Sequence, residues 1–247
     1  MSLFVVILTA AWAALGAAEA PVSNPGDDSG LKEESNSEGS DSMEFFIGLH
    51  GAGYVPYGEW IDHIYAGRTI GGITHPADLK QVGPGGGGIV ELGARTGIHD
   101  FTLQFDFNAL SAANWEDYAR SQGSSLSVNL YRWDLNLVWG IEFLRLSSFF
   151  LQARIGIGYT VVTGSEDNHD FKVSYDYDFY RHSFSARAGI GAGLEVTKSL
   201  VIYLAVDQTV GVPGVDYPPE GAERPYLGLS FSLGVRFWPV EMFGGSR

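Results

Sequence analysis

The sequence predicts an all-β chain that closes into an eight-stranded antiparallel up-and-down transmembrane β-barrel, preceded by a disordered N-terminal tether. Three observations predict it. A two-residue rhythm of apolar and polar residues returns eight times after residue 43. The connections between these segments alternate between tight and long. An apolar leader of the export type precedes them, and no other long apolar run follows.

The rhythm is clearest in Tyr131, Trp133, Leu135, Leu137, Trp139, Ile141 and Phe143, interleaved with Arg132, Asp134, Asn136, Val138, Gly140 and Glu142. Successive side chains of a strand point to opposite faces. One face of this segment is therefore wholly apolar, and the other carries charges and a glycine. A hydrocarbon layer needs strands of about 9–11 residues, so the pattern fits lipid outside and a polar lumen inside.

Along the chain, residues 1–20 read as a secretory signal peptide. Leu3 to Gly16 is apolar, and Ala18-Glu19-Ala20 has the small-x-small form of a cleavage site, although no Lys or Arg precedes the apolar core. The run is short for a membrane helix of about 20 residues. Residues 21–42 form an acidic linker, with Asp27, Asp28, Glu33, Glu34, Glu38 and Asp41 against Lys32. It has almost nothing apolar to bury, so disorder is expected.

Strands are predicted near 44–55, 87–97, 99–109, 125–144, 147–162, 181–197, 199–211 and 225–238. Tight turns fall around Gly97-Ile98, Leu146-Ser147 and Lys198-Ser199. Long loops cover about 56–86, 110–124, 163–180 and 212–224. Short turns on one side and long loops on the other are the habit of outer-membrane barrels, whose even strand number leaves both termini on the periplasmic side. A barrel domain over 43–238 and a C-terminal extension over 239–247 complete the division.

The outward faces offer Phe45, Ile47 and Leu49 on the first strand, Phe101, Leu103, Phe105 and Phe107 on the third, and Phe149, Ile155, Ile157 and Tyr159 on the fifth. The sixth offers Phe184, Ile190 and Leu194, and the eighth Leu227, Phe231 and Leu233. None is charged, as expected where a charge at the bilayer midplane costs roughly 2–4 kcal/mol. The inward faces carry Glu44, His50, Glu91, Arg95, Asp106, Arg132, Asp134, Glu142, Arg154, Arg187, Glu195, Asp207 and Arg236, with glycines 156, 158, 189, 191, 193, 228 and 234 among them. An eight-stranded barrel has an interior that side chains just fill. Opposite charges there are expected to pair and plug it, because an unpaired buried charge is costly. The predicted ion-pair network comprises Glu91, Arg95, Asp106, Arg132, Asp134, Glu142, Arg154, Arg187, Glu195, Asp207 and Arg236.

The last strand runs Pro225-Tyr226-Leu227-Gly228-Leu229-Ser230-Phe231-Ser232-Leu233-Gly234-Val235-Arg236-Phe237-Trp238. On this strand and on the architecture, residues 43–238 resemble the eight-stranded OmpA/OmpX-like outer-membrane barrel family. The resemblance implies an assembly signal in Tyr226, Gly228, Phe231, Gly234, Phe237 and Trp238, and insertion by the barrel-assembly machinery of a Gram-negative-type envelope. Family members often end at the aromatic, whereas here Pro239 to Arg247 continues.

Other chemistry finds little support. The net charge of −14 argues against nucleic acid. There is no cysteine, so packing and the hydrogen-bond ladder must hold the exported chain. Glu166, Asp167, Asn168, His169, Asp170, Asp176 and Asp178 form an acidic loop without EF-hand spacing. His50, His63, His75 and His99 lack metal-ligand spacing. Gly83-Pro84-Gly85-Gly86-Gly87-Gly88 lacks the Lys-Ser/Thr of a phosphate loop and reads as a flexible lead into the second strand. His182 and Ser183 are adjacent on a strand and point apart, which disfavours a nucleophile–base pair. Tyr54, Tyr57, Trp60, Tyr131, Trp133, Tyr226, Phe237 and Trp238 are expected in aromatic girdles.

No enzyme, metal or cofactor is expected. The first role is structural or surface-interactive in the cell outer membrane, with outer-membrane lipid around the barrel and a surface ligand on the long loops as its partners. A narrow channel gated by lumen ion pairs is the second reading. A soluble lipid-binding barrel and an enzyme acting on outer-leaflet lipid are the remaining ones.

Overall fold

The computed structural model describes residues 43–58, 69–70, 73–74, 76, 82–168, 173–175, 181–213 and 225–239. In chain order the elements are β1 (Glu44–Tyr57), a short hairpin of β2 (Thr69–Ile70) and β3 (Ile73–Thr74), β4 (Gly83–Thr96), β5 (His99–Ser111) and helix α1 (Ala113–Ser121). There follow β6 (Leu126–Leu146), β7 (Phe149–Asn168), β8 (Val173–Tyr175), β9 (Arg181–Thr197), β10 (Leu200–Pro213) and β11 (Tyr226–Phe237). The predicted signal and linker, the tail beyond residue 239, and Trp60, His63, His75, His169, Asp170, Asp176 and Asp178 lie outside the described residues.

Eight long strands pair in the order β6-β5-β4-β1-β11-β10-β9-β7, and β6 also pairs with β7, closing the barrel. Every long-strand pairing is antiparallel. Closure removes the exposed sheet edges that an open sheet would leave. The register partners Glu44, Arg95, Asp100, Gly140, Arg154, Gly189, Asp207 and Ser230 lead round the wall to Tyr54, ten residues beyond the start on β1. That stagger tilts the strands, as closure of a barrel requires.

The tight turns lie at Gly97-Ile98, Ser147-Ser148 and Lys198-Ser199. Gly97 and Ser147 both have φ of 55°, a region glycine enters without a Cβ penalty. Each turn is tied to the next hairpin. The Ile98, Ser148 and Ser199 carbonyls accept the N–H groups of Glu142, Glu195 and Trp238 at 2.8, 2.8 and 3.0 Å.

The alternation predicts the faces well. Leu137, Ile157 and Phe184 are 60, 68 and 71% exposed on the outer wall, whereas Arg132, Arg154 and Arg236 are at most 2% exposed inside. The seventh long strand, β10, carries a polar exception outside. Gln208 is buried there, beside Ala188 in register, and hydrogen-bonds Tyr57.

Three elements differ from expectation. The glycine run belongs to β4 itself rather than leading into it. A Cβ at Gly85 or Gly87 would collide with the backbone of Ala109 or Phe107, so these glycines let β4 lie close against β5. The second long loop contains α1. Trp115 and Ala119, one turn apart, are buried, the Ser111 hydroxyl accepts the Ala113 N–H at 3.3 Å, and Glu116 accepts the Val128 N–H at 2.8 Å. The third loop is shortened because β6 and β7 run on past the barrel and β7 pairs with β8.

The charged lumen as candidate functional site

The inner face of each strand delivers its charges by parity, and glycines beside them make the room. Arg154 has Gly140 and Gly189 as its lateral neighbours, Arg187 has Gly156, and Arg236 has Gly48. A Cβ at Gly189 would strike the Asp207 carboxylate, and one at Gly191 the Tyr203 hydroxyl. Large and empty positions thus alternate around a tube too narrow for large side chains at every site.

Three of the arginines share carboxylates along the tube. Arg236 Nε donates to Glu91 at 2.8 Å and its NH1 to Asp100 at 3.1 Å. The guanidinium also lies 3.6 Å over the Tyr203 ring. Arg154 reaches Asp207 at 3.3 Å and Glu91 at 3.8 Å, and donates to Gln104 at 3.1 Å and to the Tyr203 hydroxyl at 3.2 Å. Arg187 donates to Asp106 at 2.8 Å and to the same Gln104 oxygen at 3.1 Å. Towards the loop end, Arg132 pairs with Asp134 at 2.5 Å, and Asp134 also accepts from the Thr160 hydroxyl. Towards the turn end, Arg95 holds Asp100 with two bonds of 2.6 and 3.0 Å. His50 stands 3.1 Å from Glu91.

Of the predicted network, Glu91, Arg95, Asp106, Arg132, Asp134, Arg154, Arg187, Asp207 and Arg236 all lie in this lumen. Two predicted members do not. Glu142 and Glu195 sit at the turn-side rim, where both accept hydrogen bonds from Arg145, at 2.6 Å each. A register shift between Glu142 and Leu144 breaks the alternation of β6 there. Glu44, at the first residue of β1, is exposed. Asp100 falls outside the expected set because it stands at the start of β5, beside the turn. Its parity with Gln104 and Asp106 is the signal that could have found it. With these changes, five arginines (95, 132, 154, 187, 236) face five carboxylates (91, 100, 106, 134, 207) among the described residues.

Apolar clusters bracket the charges. On the turn side, Phe46, Phe150, Val201, Tyr203, Ala205 and Trp238 pack together, with Phe46 and Trp238 rings 5.2 Å apart. On the loop side, Tyr54, Val82, Leu110, Leu130 and Val162 do the same. Tyr54 and Trp238, expected in the outer girdles, are therefore lumen residues. Their even numbers put them in phase with His50 and Arg236. Tyr131 and Trp133 do face outward, with Phe107 packed 4.4 Å from Trp133.

In the proposed assembly signal, Phe231 is exposed on the outer wall. Gly228 and Gly234 face inward beneath Tyr54 and His50. Phe237 is half-buried and Trp238 buried. Tyr226 opens β11. His182 is exposed and bonded to Tyr159, whereas Ser183 is buried, so the two occupy opposite faces. Among the described residues, no group of three or more His, Asp or Glu is placed to hold a metal ion.

An antiparallel eight-stranded barrel with an apolar exterior and a lumen lined by buried salt bridges is the class these features define. No protein-family model and no curated protein matches the chain. Among solved structures, the chain is similar to neisserial surface protein A (13% identity, 80% of this chain and 99% of that one, TM-score 0.47). It is also similar to a major outer membrane protein from Thermus thermophilus (16% identity, 79 and 99%, TM-score 0.48). A third is Ail, the attachment invasion locus protein of Yersinia pestis (10% identity, 79 and 97%, TM-score 0.39). At such identities and scores the assignment of the fold rests on the strand register itself.

Proposed function

We propose that the chain is an outer-membrane barrel with a structural or surface-interaction role, its lumen plugged by ion pairs. The observation that carries this reading is the charge balance inside: five arginines against five carboxylates, closed above and below by apolar clusters. A conducting pore needs a continuous wet path, and an apolar constriction opposes wetting. The outer wall supports a lipid environment, since contiguous apolar surface of this extent is rare on proteins that face water.

In this reading residues 1–20 direct export, 21–42 form a periplasmic tether, and the loop side faces out. The assembly signal in β11 is engaged by the barrel-assembly machinery. The long loops, β8 and α1 present the surface for a ligand, as long loops on rigid frames commonly do. The test is gel mobility in SDS, boiled against unboiled, after refolding into detergent micelles. A heat-dependent shift, followed by no steady conductance in a planar bilayer, is the expected result. Folded protein in plain buffer with no shift would sink the membrane reading in favour of a soluble lipid carrier. A steady conductance would sink the plug.

A further inference from the structure

One seam of the outer wall is bare. On β1 and β4 the successive outward register pairs are Leu49–Val90, Gly51–Gly88 and Gly53–Gly86. Four glycines therefore stand together, and the strands on either side carry large side chains. Phe105 and Phe107 of β5 rise beside Val90 and Gly88, and Leu233 and Phe231 of β11 beside Gly51 and Gly53. The result is a groove of about 500 Å³ along the seam, walled by apolar side chains. Its floor is backbone: a Cβ at Gly88 would meet the His50 carbonyl oxygen at 3.4 Å.

The same seam ends early. β1 runs on against β11 to Tyr57, and β4 begins against β5 at Gly83, yet pairing across the seam stops at Tyr54–Gly85. The next positions are Val55 on β1 and Pro84 on β4, with Pro56 following on β1. Proline has no N–H with which to extend a ladder. Leu49 and Val90 close the groove towards the turns, whereas its loop-side end lies open where the ladder stops.

The groove opens onto the apolar wall and is continuous with the surface that meets hydrocarbon. Empty, it would forfeit dispersion contacts along its lining, and its apolar walls offer water no partners. From Leu49 to the last pair at Tyr54 the seam runs roughly 17 Å at about 3.3 Å per residue. With strands tilted by about 40°, that covers roughly 13 Å of depth. One leaflet of a hydrocarbon core about 30 Å thick has nearly this depth. Between the axes of β5 and β11 the trench is roughly 14 Å wide. An alkyl chain can lie along it, whereas a second convex barrel cannot enter.

We propose that the β1–β4 seam is a fixed site for one acyl chain of an outer-leaflet lipid. The chain lies over Gly51, Gly53, Gly86 and Gly88, and its head group sits at the open loop-side end. This inference rests on the membrane reading and adds to it a single defined place on the wall, distinct from the lipid that surrounds the barrel. The glycines make the site by omission, since any side chain there would fill it. Trp133 packs 4.4 Å from Phe107 on the side away from the groove and backs the β5 wall.

The experiment is native mass spectrometry of the full chain, folded into dimyristoyl phosphatidylcholine vesicles and then released into detergent. A main species heavier by one lipid is expected. Gly51→Leu combined with Gly53→Leu fills the floor. A Cβ at either position meets only backbone oxygens, at 3.9 and 4.0 Å, so the barrel should fold, as the heat-dependent gel shift checks. In this variant the ratio of lipid-bound to lipid-free barrel should fall by about tenfold. Ala153→Leu, outward on β7, should leave it unchanged. A wild-type barrel without the one-lipid species, an unchanged ratio in the filled variant, or an equal fall in Ala153→Leu would each overturn the site. A chain that neither enters vesicles nor shows the gel shift would overturn the membrane reading along with it. A chain that does both and retains no lipid overturns the site alone.

Discussion

Replacing Arg236 by Met tests the charge balance of the lumen directly. The guanidinium is buried, donates to Glu91 and Asp100 at 2.8 and 3.1 Å, and lies over Tyr203 and Phe46 at 3.6 and 4.8 Å. Methionine keeps much of the stem and its packing, so the loss is chiefly electrostatic. Removing one partner of a buried pair costs about 3–5 kcal/mol, because a charge is left unpaired. Here Asp100 retains both bonds from Arg95, and Glu91 retains His50 at 3.1 Å and Arg154 at 3.8 Å. The cost should therefore fall at the lower end, about 3 kcal/mol. Arg236→Met with Glu91→Gln removes one charge of each sign and restores the balance. The double variant is expected to recover about 2 kcal/mol of coupling energy relative to the sum of the singles. Urea unfolding in lipid vesicles, followed by tryptophan fluorescence and gel mobility, reads both quantities from the midpoint and slope. A single-variant cost below about 1 kcal/mol, or strict additivity in the double, would refute the idea that these charges are held as a mutually compensating set.

Further outcomes follow from the same geometry. Leu137→Arg, in mid-strand on the outer wall, should cost about 2–4 kcal/mol in vesicles if the wall meets hydrocarbon; no cost in the same unfolding assay would count against it. Gly191→Val forces a methyl-bearing carbon onto the Tyr203 hydroxyl, which donates to Gln152 at 2.7 Å, and should destabilise by about 1–3 kcal/mol. Gly51→Val, on the outer face where a Cβ would meet the Leu233 carbonyl oxygen at an ordinary contact distance of 3.9 Å, should be close to neutral by the same urea midpoint. Raising salt from about 0.1 to about 1 M shortens the screening length from roughly 10 to 3 Å, yet should leave the unfolding midpoint nearly unchanged. A steep salt dependence would place the ion pairs in contact with solvent. Glu116→Gln should weaken protection of the Val128 amide in hydrogen exchange while leaving the barrel strands unaffected, because Glu116 bonds an N–H that β5 no longer reaches.

Much of this architecture was legible in the sequence because its signal is local. Strand phase follows from alternation within about ten residues, and Phe101 to Phe107 or Tyr131 to Phe143 need no distant information to be assigned a face. The same parity, applied without exception, also places Tyr54 and Trp238 inside. Reading them instead as girdle aromatics lets residue type override phase. Asp100 is hidden by its position beside a turn, where alternation has only one neighbour to rest on. Glu142 and Glu195 have the inward phase but stand at the rim, where the bulge of β6 and the reach of Arg145 decide their contacts. Helix α1 leaves a weak trace, Trp115 and Ala119 one turn apart, in a stretch otherwise rich in loop-forming residues.

By itself the sequence determined the number of long strands, the two-faced wall, the tight and long connections, and most of the charges available to the lumen. These properties depend on residues near one another in the chain. The tertiary structure decided which charges meet. Closure with a ten-residue stagger brings Arg236 of β11 to Glu91 of β4 and Asp100 of β5, and Arg187 of β9 to Asp106 of β5. No local pattern encodes that stagger, because it is set by how all eight strands pair at once. It also decided that glycines would stand beside the arginines.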